Sequence, residues 1–289
     1  MTFSKVGVLG SGIMGSGIAE VAAAAGASVI VRSRSQATAE AMLSGLERSL
    51  AKQVERGKRS EDEAAALRAR VRATTALADL AECDLVIESV VEDLTIKQLL
   101  FREIDETINE RAIIVTNTST LPVIDLAMQT QRPELVCGLH FFNPAPVMSV
   151  VEVVRPLSAS DDTIARVTAF ALACGKEAIE VKDQAGFVVN ALLFPYLNHA
   201  VRLLEQGVAT RDGIDAAMRG GCGFPMGPFA LLDLVGLDTS LAILNALYDE
   251  FAEPHLAPVA LLRRMVSAGQ LGRKSGSGFY DYRRPGRRG

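Results

Sequence analysis

The sequence has few of the residues that build metal sites and disulfide frameworks. Its four cysteines, Cys83, Cys137, Cys174 and Cys222, are far apart and form no C-x-x-C pair. Zinc sites and disulfide-stapled folds need closely spaced or regularly patterned cysteines. The sequence therefore predicts no bound metal and no disulfides, and the cysteines are most simply small buried residues.

The chain also lacks a long apolar run and an excess of positive charge. No apolar run reaches the length of a membrane span, and the first residues lead directly into a predicted strand. The 30 basic residues are scattered and are outnumbered by 34 acidic ones. These features argue against a membrane protein and against a nucleic-acid partner, and they predict a cytoplasmic location.

Apolar residues make up 49% of the 289 residues, which is enough to bury a large core. The length suggests two domains. Short β-rich segments at residues 6–9, 28–31, 71–74, 84–88, 112–116 and 135–139 alternate with helical patterns. Such alternation predicts a parallel, doubly wound sheet of the Rossmann type. Further edge strands are predicted at residues 150–154 and 176–181, joined by a helix at 161–174.

A glycine motif, Gly10-Ser-Gly12-Ile13-Met14-Gly15, stands between the first predicted strand and a helical pattern at residues 18–25. In a G-x-G-x-x-G turn the first glycine allows a tight bend, the second lets the backbone approach a pyrophosphate, and the third lets helix and strand pack closely. The helix N-terminus then presents N–H groups to the anion. The motif predicts a dinucleotide site; the other interpretation is a glycine-rich turn in an unrelated α/β unit.

The end of the second predicted strand suggests which dinucleotide binds. NAD-binding folds carry an acidic residue there for the adenosine ribose. This chain has Arg32-Ser33-Arg34-Ser35 instead. Arg and Ser suit a 2′-phosphate, so Ser33 and Arg34 predict a preference for NADP over NAD. Alternatively, these are ordinary solvated loop residues.

A helical hairpin is predicted as an insertion in the sheet domain. Residues 36–58 show apolar positions at helical spacing, and Ser60 with Glu63 forms a capping box for a second helix that ends near residue 70. Lys52 and Arg56 lie on one face of the first helix. Such a strip of basic residues is usually just a solvated face.

The character of the chain changes near residues 183–186. We predict a dinucleotide-binding domain at residues 1–184 and an all-helical domain at 185–289, with helices at 187–206, 211–219, 229–235, 239–251 and 258–268. Gly220-Gly221 could be a helix end or a hinge. The basic tail at 283–289 is predicted to be disordered.

Only three histidines are present, and one stands at the ligand-binding edge of the predicted sheet. His199 lies in an amphipathic helical pattern and His255 beside a proline, whereas His140 ends a strand before Phe141-Phe142-Asn143-Pro144. An imidazole exchanges protons near neutral pH, as the oxidation of an alcohol by hydride transfer requires. Glu152, in an apolar strand, is the best candidate to orient it.

The ordered set of motifs resembles the 3-hydroxyacyl-CoA dehydrogenase family, near its short 3-hydroxybutyryl-CoA dehydrogenases, from residue 5 to residue 282. Besides the glycine motif and Glu88 through Glu92, the markers are Asn117-Thr-Ser119, His140 to Pro144, Gly186-Phe-Val-Val-Asn190, Pro225-Met-Gly-Pro228, Val235-Gly-Leu-Asp238, and Gly272-Arg-Lys-Ser-Gly276 with Gly278-Phe-Tyr280.

The resemblance implies roles for individual residues. It makes His140 the catalytic base with Glu152 as its partner, and Ser119 and Asn190 the residues that hold the reacting oxygen and the substrate. It implies that Glu92, Lys97 and Asn117 contact the cofactor, and that Lys52 and Arg56 hold the CoA nucleotide. It also implies a homodimer formed by the second domain. Ser33, where most members have an acidic residue, departs from the family pattern.

We therefore expect an oxidoreductase of fatty acid metabolism that interconverts a short-chain 3-oxoacyl-CoA and the (S)-3-hydroxyacyl-CoA, with NADPH favoured over NADH. One alternative is a relative that acts on an acyl group on acyl carrier protein or on a free hydroxy acid such as a sugar acid. Another is a non-catalytic nucleotide-binding or structural relative, for which a histidine paired with a carboxylate would have no purpose.

Overall fold

The computed structural model describes residues 3–283 and shows two compact units. The first unit ends at Gln184 and the second begins at Ala185. Residues 284–289, most of the tail that the sequence predicts to be disordered, lie outside the described part.

The first unit is built on one eight-stranded sheet, counted over the described residues. Its strand order is β3-β2-β1-β4-β5-β6-β7-β8, and every neighbouring pair is parallel except β6 with β7. The predicted doubly wound sheet is thus confirmed, with one antiparallel pair in it. The strands are β1 Lys5–Leu9, β2 Ser28–Arg32, β3 Val71–Thr74, β4 Leu85–Glu88, β5 Ile113–Thr116, β6 Val136–Phe141, β7 Val150–Arg155 and β8 Glu177–Lys182.

Helices cover both faces of the sheet because its strands are apolar on both sides. In β4, Leu85 and Ile87 belong to the core on one face, and Val86 belongs to the core on the other. This alternation follows from the two-residue period of a strand. The helices of the unit are α1 Ile13–Ala24, α2 Gln36–Glu55, α3 Glu61–Ala69, α4 Leu94–Thr107, α5 Val123–Ala127 and α6 Asp161–Ala173.

The predicted helical hairpin is formed by α2 and α3, between β2 and β3. Both helices begin with a complete capping box, at Ser35 with Thr38 and at Ser60 with Glu63. Each box satisfies two backbone N–H groups that the helix itself cannot pair, which fixes where the helix starts.

The second unit is helical throughout the described part. Its first helix starts two residues later than predicted, because Gly186 and Phe187 have φ of 71° and 48°, outside the helical region. Gly220 and Gly221 lie inside α8, which runs on to Cys222 and is capped by Gly223 at φ 69°. The helices are α7 Val189–Glu205, α8 Arg211–Cys222, α9 Pro228–Val235, α10 Leu237–Phe251 and α11 Ala260–Ser267.

Two buried carboxylates organise this unit. Asp215 accepts hydrogen bonds from the N–H groups of Phe229 and Ala230 and so caps the start of α9. Asp233 accepts from the N–H groups of Phe279 and Tyr280 and so ties the C-terminal segment to the helices. Buried carboxylates in such sites satisfy backbone donors that would otherwise be orphaned.

No single helix in the described residues is long and apolar enough to cross a bilayer. Only α9 and α10 together reach that length and apolarity, and they are bent by 97°. Their apolar side chains, among them Phe229, Leu232 and Leu244, form the core of the second unit.

Candidate active site

The glycine motif forms a tight turn at the carboxyl end of β1. Gly10 has φ of +111°, and a Cβ there would lie 2.3 Å from the Ser89 carbonyl oxygen. A Cβ on Gly15 would lie 1.9 Å from the carbonyl oxygen of Gly10. Space is open in front of Gly12, and α1 starts there with no side-chain cap and no acidic residue in its first turn. This cradle therefore fits the pyrophosphate of a dinucleotide.

The residues beside the cradle differ in exposure. Ile13 is 79% exposed, while Met14 is packed in part against the core of the sheet. The end of β2 lies next to this turn, since the Gly10 N–H donates to the Arg32 carbonyl oxygen.

Ser33, directly after β2, is buried, and hydroxyl groups surround it. Its Oγ lies 2.6 Å from Ser11 Oγ and 2.5 Å from Thr38 Oγ1. Arg34 is exposed, and the buried Nε of Arg32 has no hydrogen-bond partner among the described residues. A hydroxyl has one proton to donate and two lone pairs that accept, so Ser33 can donate to a phosphate and keep both contacts only if Ser11 and Thr38 donate to it. Among the described residues, the hydrogen-bond partners of the Ser33 hydroxyl are thus hydroxyl groups, and the preceding residue carries an unpaired guanidinium nitrogen.

The antiparallel pairing of β6 with β7 places His140 directly opposite Glu152. Their side chains are buried, and His140 Nδ1 lies 2.7 Å from Glu152 Oε2. Facing residues on one side of an antiparallel pair are close enough for such a contact. Two residues earlier, Gly138 faces Val154, and a Cβ on Gly138 would lie 2.6 Å from Val154 Cβ.

The other imidazole nitrogen points at Ser119, which follows β5. Ser119 Oγ lies 3.1 Å from His140 Nε2, and the ring of Phe142 packs against the imidazole with centroids 4.6 Å apart. An ionised carboxylate only accepts hydrogen bonds, so Glu152 favours the tautomer with its proton on Nδ1. Nε2 is then the nitrogen that can accept a proton. Three of the predicted residues, Ser119, His140 and Glu152, are therefore linked in series by hydrogen-bond contacts, and we call this series the line.

Glu92 holds the segment that carries Ser119. Its Oε1 accepts hydrogen bonds from the Ser119 N–H, at 2.9 Å, and from the Thr118 hydroxyl. Burial raises the pKa of this carboxyl, but the charge of Lys97 and the bonds from Thr118 and Ser119 outweigh it and hold the pKa below its ordinary value. Glu92 is thus ionised at neutral pH, and its side chain is 38% exposed.

Lys97, on α4, lies behind Glu92. Its side chain is 1% exposed, and its ammonium group contacts Glu88 and Glu92. Contact between Lys97 and a cofactor stays a prediction, which this burial does not favour. Asn117 is also engaged: its Oδ1 accepts from the Phe141 N–H and its Nδ2 donates to Ser89 Oγ, so it links the ends of β4, β5 and β6. Its cofactor contact likewise stays a prediction.

The remaining predicted residues lie on other elements. Lys52 is in the last turn of α2, and Arg56 is the C-cap of that helix; both side chains are exposed. Asn190 is the second residue of α7, in the other unit. The roles of these three residues stay predictions.

Two buried residues were given no role in the predictions from the sequence. Glu88 is fully buried at the end of β4, where a lone carboxylate in an apolar strand is the signal that could have found it. Lys176 donates to the carbonyl oxygens of Ala145 and Met148 and so fastens the loop after His140; burial lowers the pKa of its ammonium group. Lys176 stands directly before the edge strand β8, and nothing in the sequence around it indicated that it would be buried.

Comparison with known proteins shows which family both units resemble. The family model "3-hydroxyacyl-CoA dehydrogenase, NAD binding domain" matches residues 5–184, and "3-hydroxyacyl-CoA dehydrogenase, C-terminal domain" matches residues 186–282. A 3-hydroxybutyryl-CoA dehydrogenase of Mycobacterium tuberculosis is 46% identical over 280 residues, which are 96% of this chain and 98% of that protein.

Two solved structures of similar fold are given as examples. The (S)-3-hydroxybutyryl-CoA dehydrogenase of Ralstonia eutropha has a TM-score of 0.95 at 41% identity, covering 98% of this chain and all of that one. A diketoreductase that acts on dicarbonyl compounds has a TM-score of 0.83 at 32% identity, covering 97% and 99%. With both of its units matched by the family's models, the chain belongs to the 3-hydroxyacyl-CoA dehydrogenase family.

Proposed function

We propose that the protein is a nicotinamide-dependent 3-hydroxyacyl-CoA dehydrogenase that interconverts a short-chain 3-oxoacyl-CoA, such as acetoacetyl-CoA, and its (S)-3-hydroxy product. The observation that carries the proposal is the line Ser119–His140–Glu152 at the edge of the sheet that also holds the glycine cradle. The Mycobacterium tuberculosis and Ralstonia eutropha relatives are 3-hydroxybutyryl-CoA dehydrogenases, which supports the same substrate class.

The chain's own residues then handle the proton. In oxidation, His140 Nε2 takes the proton of the C3 hydroxyl, and in reduction it returns the proton to the C3 oxygen. Glu152 stabilises the imidazolium through Nδ1, and the Ser119 hydroxyl, within reach of Nε2, holds the same oxygen. The bound nicotinamide supplies the hydride acceptor or donor. From the family resemblance we also propose that Asn190 contacts the substrate.

The cofactor is held by the glycine cradle, Gly10, Gly12 and Gly15 with Ile13 and Met14, and by Glu92 and Asn117 farther along the sheet edge. We propose that NADPH is preferred over NADH. An acidic residue at position 33 would oppose a 2′-phosphate by about 4 kcal/mol for unit charges about 4 Å apart at an effective dielectric near 20, before salt screening. Ser33 removes this repulsion, and the Arg32 Nε and the exposed Arg34 supply nearby positive charge.

We propose that Lys52 and Arg56 bind the phosphates of the CoA nucleotide. Both cations are exposed at the C-terminal end of α2, where a long ligand can reach them. A diketoreductase among the structural relatives shows that this fold also serves dicarbonyl compounds. If substrate binding depends on Lys52 and Arg56, the substrate is a CoA thioester rather than a free acid or an acyl group on acyl carrier protein.

We also propose that two copies associate through the helical unit. Several large apolar side chains of this unit are exposed in the single chain, which is typical of surfaces that bind another protein. They include Leu192 at 72%, Val208 at 65%, Leu234 at 49% and Phe224 at 42%.

Replacing His140 tests the catalytic assignment. His140→Ala should lower kcat for acetoacetyl-CoA reduction by roughly 10²–10⁴-fold, the usual contribution of a general acid–base, with little change in cofactor affinity. Glu152→Gln should lower kcat less and shift the pH profile, because an amide cannot stabilise the imidazolium. Turnover above a tenth of wild type in His140→Ala would remove His140 from this role.

For the CoA contacts, Lys52→Ala with Arg56→Ala should raise KM for acetoacetyl-CoA about tenfold or more while kcat changes little. Each lost charged hydrogen bond is worth roughly 1.5–3 kcal/mol when well formed, and a remote contact binds ground and transition states alike. The increase should shrink at high salt. Arg111→Ala, another exposed cation of the first unit, is the control. An unchanged KM in the double variant favours the free-acid or carrier-protein substrate.

The cofactor preference is tested with Ser33→Asp combined with Arg34→Ile. The carboxylate restores an acceptor for the ribose and repels the 2′-phosphate, so kcat/KM should rise for NADH and fall for NADPH. The measurement is kcat/KM with both cofactors in both proteins. Equal values in the unmutated enzyme indicate a site that accepts both, and a clear NADH preference there contradicts the proposal.

Light scattering after size-exclusion chromatography tests the association. The proposal expects a mass of twice the chain's 30.8 kDa at micromolar concentration. A monomer mass under those conditions would be evidence against it, and Leu192→Glu should shift the mass toward that of one chain if Leu192 lies in the contact.

A further inference from the structure

A buried carboxylate joins the helix of the glycine cradle to the helical hairpin. Glu20, in α1, is 7% exposed. Its Oε1 accepts a hydrogen bond from the Gln53 amide at 2.7 Å, and its Oε2 accepts one from the Ser49 hydroxyl at 3.0 Å. Both donors belong to α2. One side chain of α1 therefore holds two side chains of the hairpin.

The Gln53 amide is oriented by its other contacts. Its Oε1 lies 3.5 Å from Nε of Arg59, in the segment between α2 and α3, and its Nε2 also lies 3.3 Å from Ser49 Oγ. A guanidinium only donates hydrogen bonds, so the amide oxygen faces Arg59 and the amide nitrogen faces Glu20. The contact between the two helices is therefore a directional one.

Stability gives little reason for a charge at this place. A buried carboxylate is costly unless its partners compensate for the lost water, and the two donors that bind Glu20 are neutral. Both helices already contribute apolar side chains to the same core, among them Ile18 of α1 and Leu50 of α2. An apolar residue at position 20 would extend that packing. The carboxylate adds a fixed position for the helix that it bonds.

The bonds to Glu20 act where the apolar packing of α2 ends. Leu50 is the last buried residue of this helix, and residues 51–55 are half-buried or exposed. Helix ends with few buried contacts open more easily than the rest of a domain. The Gln53 contact therefore ties the last turn of α2 to α1.

The proposed CoA contacts lie at this same end of the helix. Lys52 is in the last turn of α2 and Arg56 is its C-cap, and both side chains are exposed. Residues three positions apart on a helix are surface neighbours. Lys52 therefore lies beside Ser49, and Arg56 lies beside Gln53. Each cation is next to a residue that is bonded to α1.

We propose that Glu20 is a positioning residue for CoA substrates. It holds the end of α2 at a fixed place on α1, and it thereby sets where Lys52 and Arg56 meet the CoA nucleotide. This inference rests on the proposed function. Because α1 begins at the glycine cradle, the helix that receives the cofactor and the helix that receives CoA are joined at one carboxylate.

Removal of the carboxylate should weaken the binding of CoA thioesters specifically. Glu20→Leu should raise KM for acetoacetyl-CoA about three- to tenfold while kcat changes by less than about twofold, because a remote contact binds ground and transition states alike. KM for acetoacetyl-pantetheine, which lacks the nucleotide, should stay within about twofold of wild type. Equal increases in KM for both substrates would show a general distortion of the site and overturn the proposal.

Glu20→Gln is the matched control. Its amide oxygen can accept from Gln53 and its amide nitrogen can donate to the Ser49 hydroxyl, so KM for acetoacetyl-CoA should remain within about twofold of wild type. Gln53→Leu removes the partner on α2 and should raise KM as Glu20→Leu does. The two leucine changes together should raise KM no further, because both break one contact. Additive increases, or an increase in Glu20→Gln equal to that in Glu20→Leu, would contradict the proposal.

Lys52→Ala with Arg56→Ala separates this inference from the function on which it rests. In that background, Glu20→Leu should raise KM for acetoacetyl-CoA no further. If the alanine variant has a raised KM and Glu20→Leu alone does not, only the role of Glu20 is wrong. An unchanged KM in the alanine variant would contradict the CoA contacts themselves.

A second buried carboxylate shows whether KM merely follows stability. Asp105 pairs with Arg132 at 2.6 Å and lies on α4, which packs on the opposite face of the sheet from α1. Asp105→Asn should lower Tm without changing KM for acetoacetyl-CoA, whereas Glu20→Leu should keep Tm near wild type, since the half-buried Ser49 and Gln53 can turn to water. An increase in KM in Asp105→Asn equal to that in Glu20→Leu would refute the positioning role.

Discussion

The antiparallel pairing of β6 and β7 is the constraint on which the site depends. All other neighbouring strands of the sheet are parallel in the described part of the chain, and this pair sets His140 and Glu152 face to face at the candidate active site. The pairing gives Glu152 its 2.7 Å contact with Nδ1 and turns Nε2 toward Ser119. The backbone hydrogen bonds of the sheet, rather than a flexible loop, therefore orient the imidazole.

Much of the fold could be predicted because its local signals agree with each other. The glycine turn, the alternating β-rich and helical segments and the capping boxes at Ser35 and Ser60 each point to the same architecture. The pairing of His140 with Glu152 could also be predicted, since His140 ends a strand and Glu152 is a lone charge in an apolar one, whereas Ser119 was implied only by the family resemblance.

The rest depends on contacts that sequence spacing does not specify. The Lys97 side chain on α4 is paired with Glu88, which lies on β4. The burial of Lys97 therefore could not be predicted from the pattern of α4 alone. The hydroxyl partners of Ser33 come from the glycine turn and from α2. Gly220 and Gly221 continue a helix because the cap falls at Gly223, although glycine pairs commonly end helices.

The close approach of Gly138 to Val154 affects the hydrogen bond between His140 and Glu152, although neither Gly138 nor Val154 takes part in that bond. A slip of one position between β6 and β7 would turn His140 and Glu152 to opposite faces of the sheet. At Gly138 the strands are so close that even a methyl group would have to push β7 outward. A substitution at Gly138, which has no chemical role of its own, would therefore disturb the strand pairing that holds His140 against Glu152.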